Sequence, residues 1–288
     1  MSEKSVLKEA LVRARRNSRF RSLGRTLFKL PVSGDILRQF THRILPRGER
    51  VWLQVPTGPG RGLWLKVEPY QEERYLSGYP EPGVQEEILN HLRPGGCFYD
   101  VGAHIGFYSL LAARLVGKGG HVVAFEPDPA NAAVLQENIA RNDLGQIEVV
   151  PVALWSRCGV VAFRRSASEH PEVSSRRGAV VSANGRARSD DTIEVQAMTL
   201  DAFAENQPLP TMVKIDVEGA EVEVLKGAQK VTSQTRPALL LEVHHLQAAT
   251  FLEDQLQQKD YRIDWLAPHQ GFPFPRHLLA LPPEWSDR

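Results

Sequence analysis

The sequence is poor in cysteine, with Cys97 and Cys158 the two thiols in 288 residues. Two thiols give neither a disulfide framework nor a metal-binding spacing, which fits a reducing compartment. No stretch approaches the run of about 18 apolar residues that a bilayer span requires. The N-terminal region is positively charged but lacks a following apolar segment, so a secretory signal is not expected. A strong excess of one charge is also missing. The formal net charge is +1, which disfavours nucleic acid as a partner. These absences lead to the expectation of a cytoplasmic protein, with any membrane association peripheral.

What is present is ordinary globular material, 42% hydrophobic and 24% charged, enough for one large domain with an appendage. Near-neutrality hides an asymmetry. Residues 1–50 carry thirteen Lys or Arg against four acids, a balance of +9, so the rest of the chain is −8. Within residues 5–45, Val6, Leu7, Ala10, Leu11 and Ala14 recur at helical spacing, with arginines on the other face. Such a helix either packs on the main domain with a solvated basic face or docks on an anionic partner or membrane surface. Two short strands over 50–55 and 62–67, joined by the Pro/Gly turn at 57–61, read as a hairpin. Residues 1–80 are therefore expected as a helical and hairpin appendage, and 81–288 as the main domain.

After a helix near 84–92, the pattern alternates. Strands are predicted at 97–101, 121–125, 147–152, 211–215 and 238–243, with helices at 106–116, 129–141, 219–230 and 246–259. Short β-branched strands alternating with amphipathic helices imply an α/β fold, a doubly wound parallel sheet covered on both faces. Apolar stretches at 261–266 and 277–281 could close the sheet with an antiparallel edge. The alternation breaks at 156–198. Its ends, 159–163 and 192–198, read as strands, while 164–191 is rich in Ser, Arg, Gly and Ala, either disordered or a lid.

In an open parallel sheet the ligand lies outside the carboxyl ends of the strands. The first strand runs into Asp100-Val101-Gly102-Ala103-His104-Ile105-Gly106. Small residues at 102, 103 and 106 let the backbone pass close to a ligand before the next helix begins. A dinucleotide fingerprint needs a second glycine where His104 stands. Asp100 at the strand tip would repel a pyrophosphate and suits a cationic ligand, such as the ammonium and sulfonium of S-adenosylmethionine; the alternative is an aspartate that caps the turn. The second strand ends in Glu126-Pro127-Asp128, where Glu126 is placed to accept ribose hydroxyls and Asp128 to cap the next helix.

These residues resemble the FkbM-type methyltransferases, a class of S-adenosylmethionine-dependent enzymes mostly associated with O-methylation. The likeness runs through Gly78-Tyr79-Pro80-Glu81, Pro94-Gly95, residues 99–106, Phe125-Glu126-Pro127, Thr199-Leu200-Asp201, Lys214-Ile215-Asp216-Val217-Glu218-Gly219-Ala220-Glu221 and Leu241-Glu242-Val243-His244. His104 departs from the Asn common at that place. The resemblance implies a class I methyltransferase (Rossmann-like) sheet with an antiparallel last strand. It also implies a cofactor cradled by Asp100, Gly102, Ala103, His104 and Gly106, with Glu126 and Pro127 at the ribose and Ala153, between Val152 and Leu154, along the adenine.

The donor of such a reaction is already activated, so the protein must align the acceptor and, for a hydroxyl, remove a proton. Asp216 ends the fourth strand, and Glu242 and His244 end the fifth, so the three can converge near the methyl group. His244 is the expected proton acceptor, since free imidazole titrates near neutrality. Asp216 or Glu242 would orient it or act as base, and Asp216 is also a candidate cofactor ligand. Glu218 is expected in the first turn of a helix, and Tyr79, Glu81 and Glu218 are the candidates on the substrate side. A divalent metal at these groups is possible but not favoured, because the spacing is not that of a metal site. The expected acceptor is a small molecule, sugar or lipid-linked glycan. The competing readings are an NAD-dependent oxidoreductase, disfavoured by Asp100 and the missing glycine, and a non-catalytic cofactor-binding module.

Overall fold

The computed structural model of the chain describes residues 49–69, 72–76, 80–165, 179–182, 192–267 and 274–285. The basic segment expected to be helical, the middle of the insertion at 166–178 and 183–191, and Tyr79 lie outside them.

Strands β1 (Val51–Gln54) and β2 (Trp64–Val67) form the antiparallel hairpin read from the sequence. Helix α1 (Pro82–His91) leads into β3 (Cys97–Val101), α2 (Phe107–Val116), β4 (His121–Phe125), α3 (Pro129–Asn142) and β5 (Ile147–Val150). Strands β6 (Ala153–Leu154), β7 (Gly159–Arg164), β8 (Ala179–Ser182) and β9 (Thr192–Met198) make a second sheet in the order β6-β9-β7-β8. The chain then resumes the alternation with α4 (Leu200–Ala204), β10 (Met212–Ile215), α5 (Glu221–Lys226), β11 (Ala238–Val243), α6 (Leu246–Gln257), β12 (Arg262–Trp265) and β13 (Arg276–Leu281).

The main sheet has seven strands in the order β12-β13-β11-β10-β3-β4-β5. Strands β3, β4, β5, β10 and β11 pair in parallel, whereas β13 runs antiparallel to both β11 and β12. The doubly wound sheet with an antiparallel last strand is as expected, with β13 inserted one place in from the edge. Every residue of β3, β10 and β11 is buried, because helices cover both faces. One core holds Phe98, Leu110, Met212 and Leu240, and the other holds Tyr99, Phe125, Val213 and Leu252.

Two expected elements are cut short, for local reasons. Pro151 lacks the N–H that a continuing strand would donate, so β5 stops at Val150 and the chain re-forms as β6 in the other sheet. The helix expected over 219–230 runs only from Glu221 to Lys226. Its end is set at Gly227, where a β-carbon would lie 2.2 Å from the carbonyl oxygen of Trp155. The chain continues through a π-helical turn at Val231–Thr235.

The hairpin shares the main core instead of standing apart from it. Leu53, Val55, Leu65 and Val67 are buried with Ile88, Phe107 and Leu135, and the compact unit begins at Arg47. Its exposed edge is covered by α3. The Asn138 Oδ1 accepts from the Lys66 N–H at 2.7 Å, and Asn142 both accepts from and donates to the Trp64 backbone at 2.8 Å. Such side chains occupy an edge that would otherwise pair with another chain. Asn138 also donates to the Ile105 carbonyl at 2.8 Å, which ties the hairpin to the glycine turn. Among the described residues, no helix is long and apolar enough to cross a membrane.

Candidate active site

The order of the sheet reverses between β3 and β10, and the turns leaving those strands meet there. Gly102 has φ +80°, and a β-carbon on it would lie 2.0 Å from the Asp216 carbonyl oxygen. Gly106 has φ +89°, with a β-carbon directed 2.0 Å from Leu135 Cδ1. Glycine is required at both places by conformation and by space. His104, at φ 54°, also occupies the left-handed region, where Asn is tolerated better than most residues.

The N–H groups of this turn are spent internally. Gly102 and Ala103 both donate to the Phe125 carbonyl at 3.0 Å, and Gly106 donates to Ala103. His104 donates its N–H to Glu126 Oε2 at 2.7 Å, while Asp128 donates to Glu126 Oε1 at 2.9 Å. A turn whose amides are satisfied this way has little left to hold a pyrophosphate. The missing glycine and these internal bonds both count against the dinucleotide reading. Burial pushes the Glu126 carboxyl up to about 7, against the two backbone N–H groups, which favour its ionised form.

A cleft opens at this point. Of the expected cofactor residues, Gly102, His104, Glu126, Pro127, Ala153 and Asp216 line it, whereas Asp100, Ala103 and Gly106 do not. Val152 and Leu154 add apolar surface beside Ala153. The second sheet supplies Phe163 and Val180 to the same wall, so β7, from the end read as a strand, and β8, within the stretch read as disordered or a lid, both contribute to the cleft. Arg165, just past β7, bonds the Asp128 carboxylate at 3.2 and 3.3 Å. Asp128 caps α3 as expected, accepting from the Ala130 N–H at 2.8 Å.

Asp100 is placed differently from the expectation that it meets the ligand. It is fully enclosed, accepting from the Ser109 hydroxyl at 2.6 Å and pairing with Lys214 Nζ at 3.3 Å. The reason is register: Asp100 and Lys214 are direct neighbours on adjacent parallel strands, so both point to the same face. Lys214 Nζ also lies 3.4 Å from Asp216 Oδ2 and 5.0 Å from the centre of the Tyr108 ring. Asp216 is the carboxylate of this set that reaches the cleft.

His244 sits among carboxylates. Its Nδ1 is 2.7 Å from Glu221 Oε1, and its Nε2 is 3.2 Å from Glu218 Oε2 and 3.9 Å from Glu242 Oε2. Burial opposes the imidazolium, yet the hydrogen bonds to Glu218 and Glu221 and the charge of Glu242 outweigh it and push the group up to about 10. The expectation that His244 titrates near neutrality is therefore corrected. At neutral pH it is a cation. Glu218 is corrected too. It stands before the helix, at φ 52°, and the first-turn acids are Glu221 and Glu223.

Asp216, Glu218 and His244 offer ligand atoms within 4.8 Å of one another, as do Glu81, Glu242 and His277. For the first set, a metal would have to displace the ring proton that Glu221 and Glu218 stabilise. The second set places Glu81, one of the expected substrate-side residues, near Glu242. The Glu81 Oε2 accepts from the Tyr108 hydroxyl at 2.5 Å, and its Oε1 lies 3.8 Å from Arg74.

Four participants carried no role in the sequence reading: Lys214, Glu221, His277 and Glu72. Lys214 and Glu221 belong to the motif that ends β10, but only pairing register and the fold of the turn reveal their partners. Glu72, just before a short 3-10 turn (Glu73–Leu76) that precedes α1, lies 3.5 Å from His104 Nε2 and is held by Arg50 at 2.9 Å. Nothing in the local sequence connects residues 50, 72 and 104.

The Methyltransferase FkbM domain matches residues 100–263 of the chain. Hexuronic acid methyltransferase AglP of Haloferax volcanii is 28% identical over 214 residues, covering 68% of this chain and 80% of that protein. The 31-O-demethyl-FK506 methyltransferase FkbM of Streptomyces tacrolimicus is 29% identical over 227 residues, covering 71% and 82% respectively. A solved methyltransferase FkbM structure from Methylobacillus flagellatus is similar with a TM-score of 0.46 at 20% identity. That likeness covers 73% of this chain, which spans 55% of the solved one. The chain belongs to the FkbM family of S-adenosylmethionine-dependent methyltransferases.

Proposed function

We propose that this protein transfers a methyl group to a hydroxyl of a small molecule, sugar or lipid-linked glycan. When bound, S-adenosylmethionine supplies a sulfonium methyl that needs no further activation. The residues fit such a group: Glu126 would accept from the ribose, the apolar surface of Val152, Ala153, Leu154 and Phe163 would cover the base, and Asp216 would face the cationic end.

The observation that carries the reading is the acidic wall at the ends of β10 and β11. Glu242 is buried there, 3.9 Å from His244 and 4.0 Å from His277. In this reading Glu242 accepts the proton of the acceptor hydroxyl, and the His244 imidazolium orients it and balances the surrounding charge. A base positioned in this way contributes roughly 100- to 10,000-fold to a rate. Transfer to oxygen is supported by one relative whose name specifies a 31-O-demethyl substrate. Another relative is named for a hexuronic acid, which supports a sugar-like acceptor.

The test is a screen of hydroxyl acceptors with isotopically labelled donor, followed by mild alkali. A product that survives alkali and carries the labelled methyl on oxygen by NMR is an ether and supports the reading. Label that is released by alkali reveals a methyl ester, and label on nitrogen reveals an amine acceptor. Either outcome overturns it.

A further inference from the structure

A lysine closed inside a sheet is costly unless its charge is met. Lys214 is 3% exposed and Asp100 is fully buried, with no water-facing route for either charge. One carboxylate would be enough to balance this ammonium. The fold provides two, Asp100 at 3.3 Å and Asp216 at 3.4 Å. The trio therefore keeps one net negative charge, and of its members Asp216 reaches the cleft.

We propose that Asp100 is a positioning residue that acts through Lys214. By satisfying the buried ammonium from behind, it leaves the charge of the Asp216 carboxylate available to the cleft, where that charge favours the sulfonium donor over the uncharged thioether that methyl transfer leaves. Without Asp100, the site loses one negative charge and the ammonium draws more of its balance from Asp216. The consequence is a protein that holds its donor more tightly than its spent product, set by a residue that touches neither. This inference rests on the reading of Asp216 as the group at the cationic end of the donor.

The magnitude follows from Coulomb's law. At about 8 Å and an effective dielectric of about 20–40, one unit charge changes affinity roughly 5- to 30-fold. The quantity to measure is the ratio of dissociation constants for S-adenosylhomocysteine and S-adenosylmethionine, by calorimetry on the full chain. Because both ligands share the adenosine and the amino acid, a general weakening of the cleft cancels in the ratio.

Asp100→Asn keeps size and can still accept from Ser109, which bonds Asp100 at 2.6 Å. It is expected to lower the ratio about tenfold, chiefly by loosening the sulfonium donor. Asp100→Asn combined with Lys214→Met removes both buried charges and leaves Asp216 alone, so the ratio is expected to recover. A merely structural role predicts the reverse: an unchanged ratio in the single variant and a weaker protein in the double. Either result overturns the proposal. Should the single variant not fold, the double variant decides, because a ratio well below that of the native protein contradicts the charge assignment. Asp216→Asn separates the two levels. If it leaves the ratio unchanged, the reading of Asp216 itself is lost. If it lowers the ratio while Asp100→Asn does not, only the action through Lys214 is lost.

Discussion

Glu126 makes the sharpest demand on the donor-binding cleft. Its two oxygens already accept from the His104 and Asp128 N–H groups, at 2.7 and 2.9 Å, and each oxygen retains a lone pair for a ribose hydroxyl. Burial raises the carboxyl to about 7. Ribose hydroxyls donate to the ionised form, so donor binding must expel a proton below that pH. Affinity for S-adenosylhomocysteine should fall by up to tenfold per pH unit below 7, or about 16-fold from pH 7 to 5.5. Glu126→Gln removes the charged acceptor. A hydrogen bond to a charged group contributes about 1.5–3 kcal/mol, so the variant should bind roughly 10- to 150-fold more weakly at pH 8. Its affinity should depend little on pH. Stability provides an independent check of sign. An acid whose folded value lies above its unfolded value of 4.5 holds its proton more tightly when folded. Its contribution is therefore favourable below 4.5 and lost as pH rises through 7. Native thermal stability should decline across that window, and the decline should be smaller in Glu126→Gln. Calorimetric titrations of both proteins from pH 5.5 to 8.5 read the first effect, and thermal melts read the second. Native affinity that is flat over this range, or tighter at pH 5.5, refutes the reasoning.

Glu242→Gln should lower turnover at least 100-fold while leaving affinity for the uncharged S-adenosylhomocysteine within a few-fold, since the proton acceptor is lost and the cleft is not; equal losses in rate and in that affinity would contradict that role. His244→Gln bears on stability. A base raised from 6.5 to about 10 by its carboxylates contributes fully below 6.5 and loses that contribution as pH rises through 10. Native melting temperature should fall between those values, and the variant, less stable at pH 6, should show a flatter profile. Gly106→Ala places a methyl against Leu135 and forces an L-residue to φ +89°, which should cost about 2–4 kcal/mol in denaturant unfolding. A cost below about 1 kcal/mol would mean that the turn relaxes.

Periodicity made the scaffold legible. The strands at 97–101, 121–125, 238–243 and 212–215 are short and apolar, and each is followed by a helix, so the parallel sheet could be read directly. Glu126 was legible for the same reason: a residue at a strand tip in an open sheet has one place to be. What could not be read depends on pairing across the sheet. That Asp100 neighbours Lys214 follows from the register of β3 and β10, residues separated by 114 positions in the chain. The titration of His244 depends on Glu218 and Glu221 folding back on it through a left-handed turn. Free imidazole chemistry alone gave the opposite protonation state. Glu72 lay beyond reach for a third reason, because its partners come from the hairpin and the glycine turn.

The charges at the strand ends then constrain what the cleft can accept. Asp100 and Asp216 face Lys214, and Glu218, Glu221 and Glu242 face His244, two sets of contacts that approach each other where Asp216, Glu218 and His244 lie within 4.8 Å. Buried charges of one sign are tolerated only where something offsets them. On one side the donor brings a sulfonium and an ammonium. On the other, the acceptor arrives beside Glu242, where a second carboxylate would add repulsion and a hydroxyl would add a proton to be taken. On the proposed reading, that excess of negative charge would draw the cationic donor in. It also favours departure of the spent donor, whose sulfur has lost its charge. On this reading, donor preference and product release would share one feature: parallel strands whose last residues are acids, with a lysine in the sheet behind them.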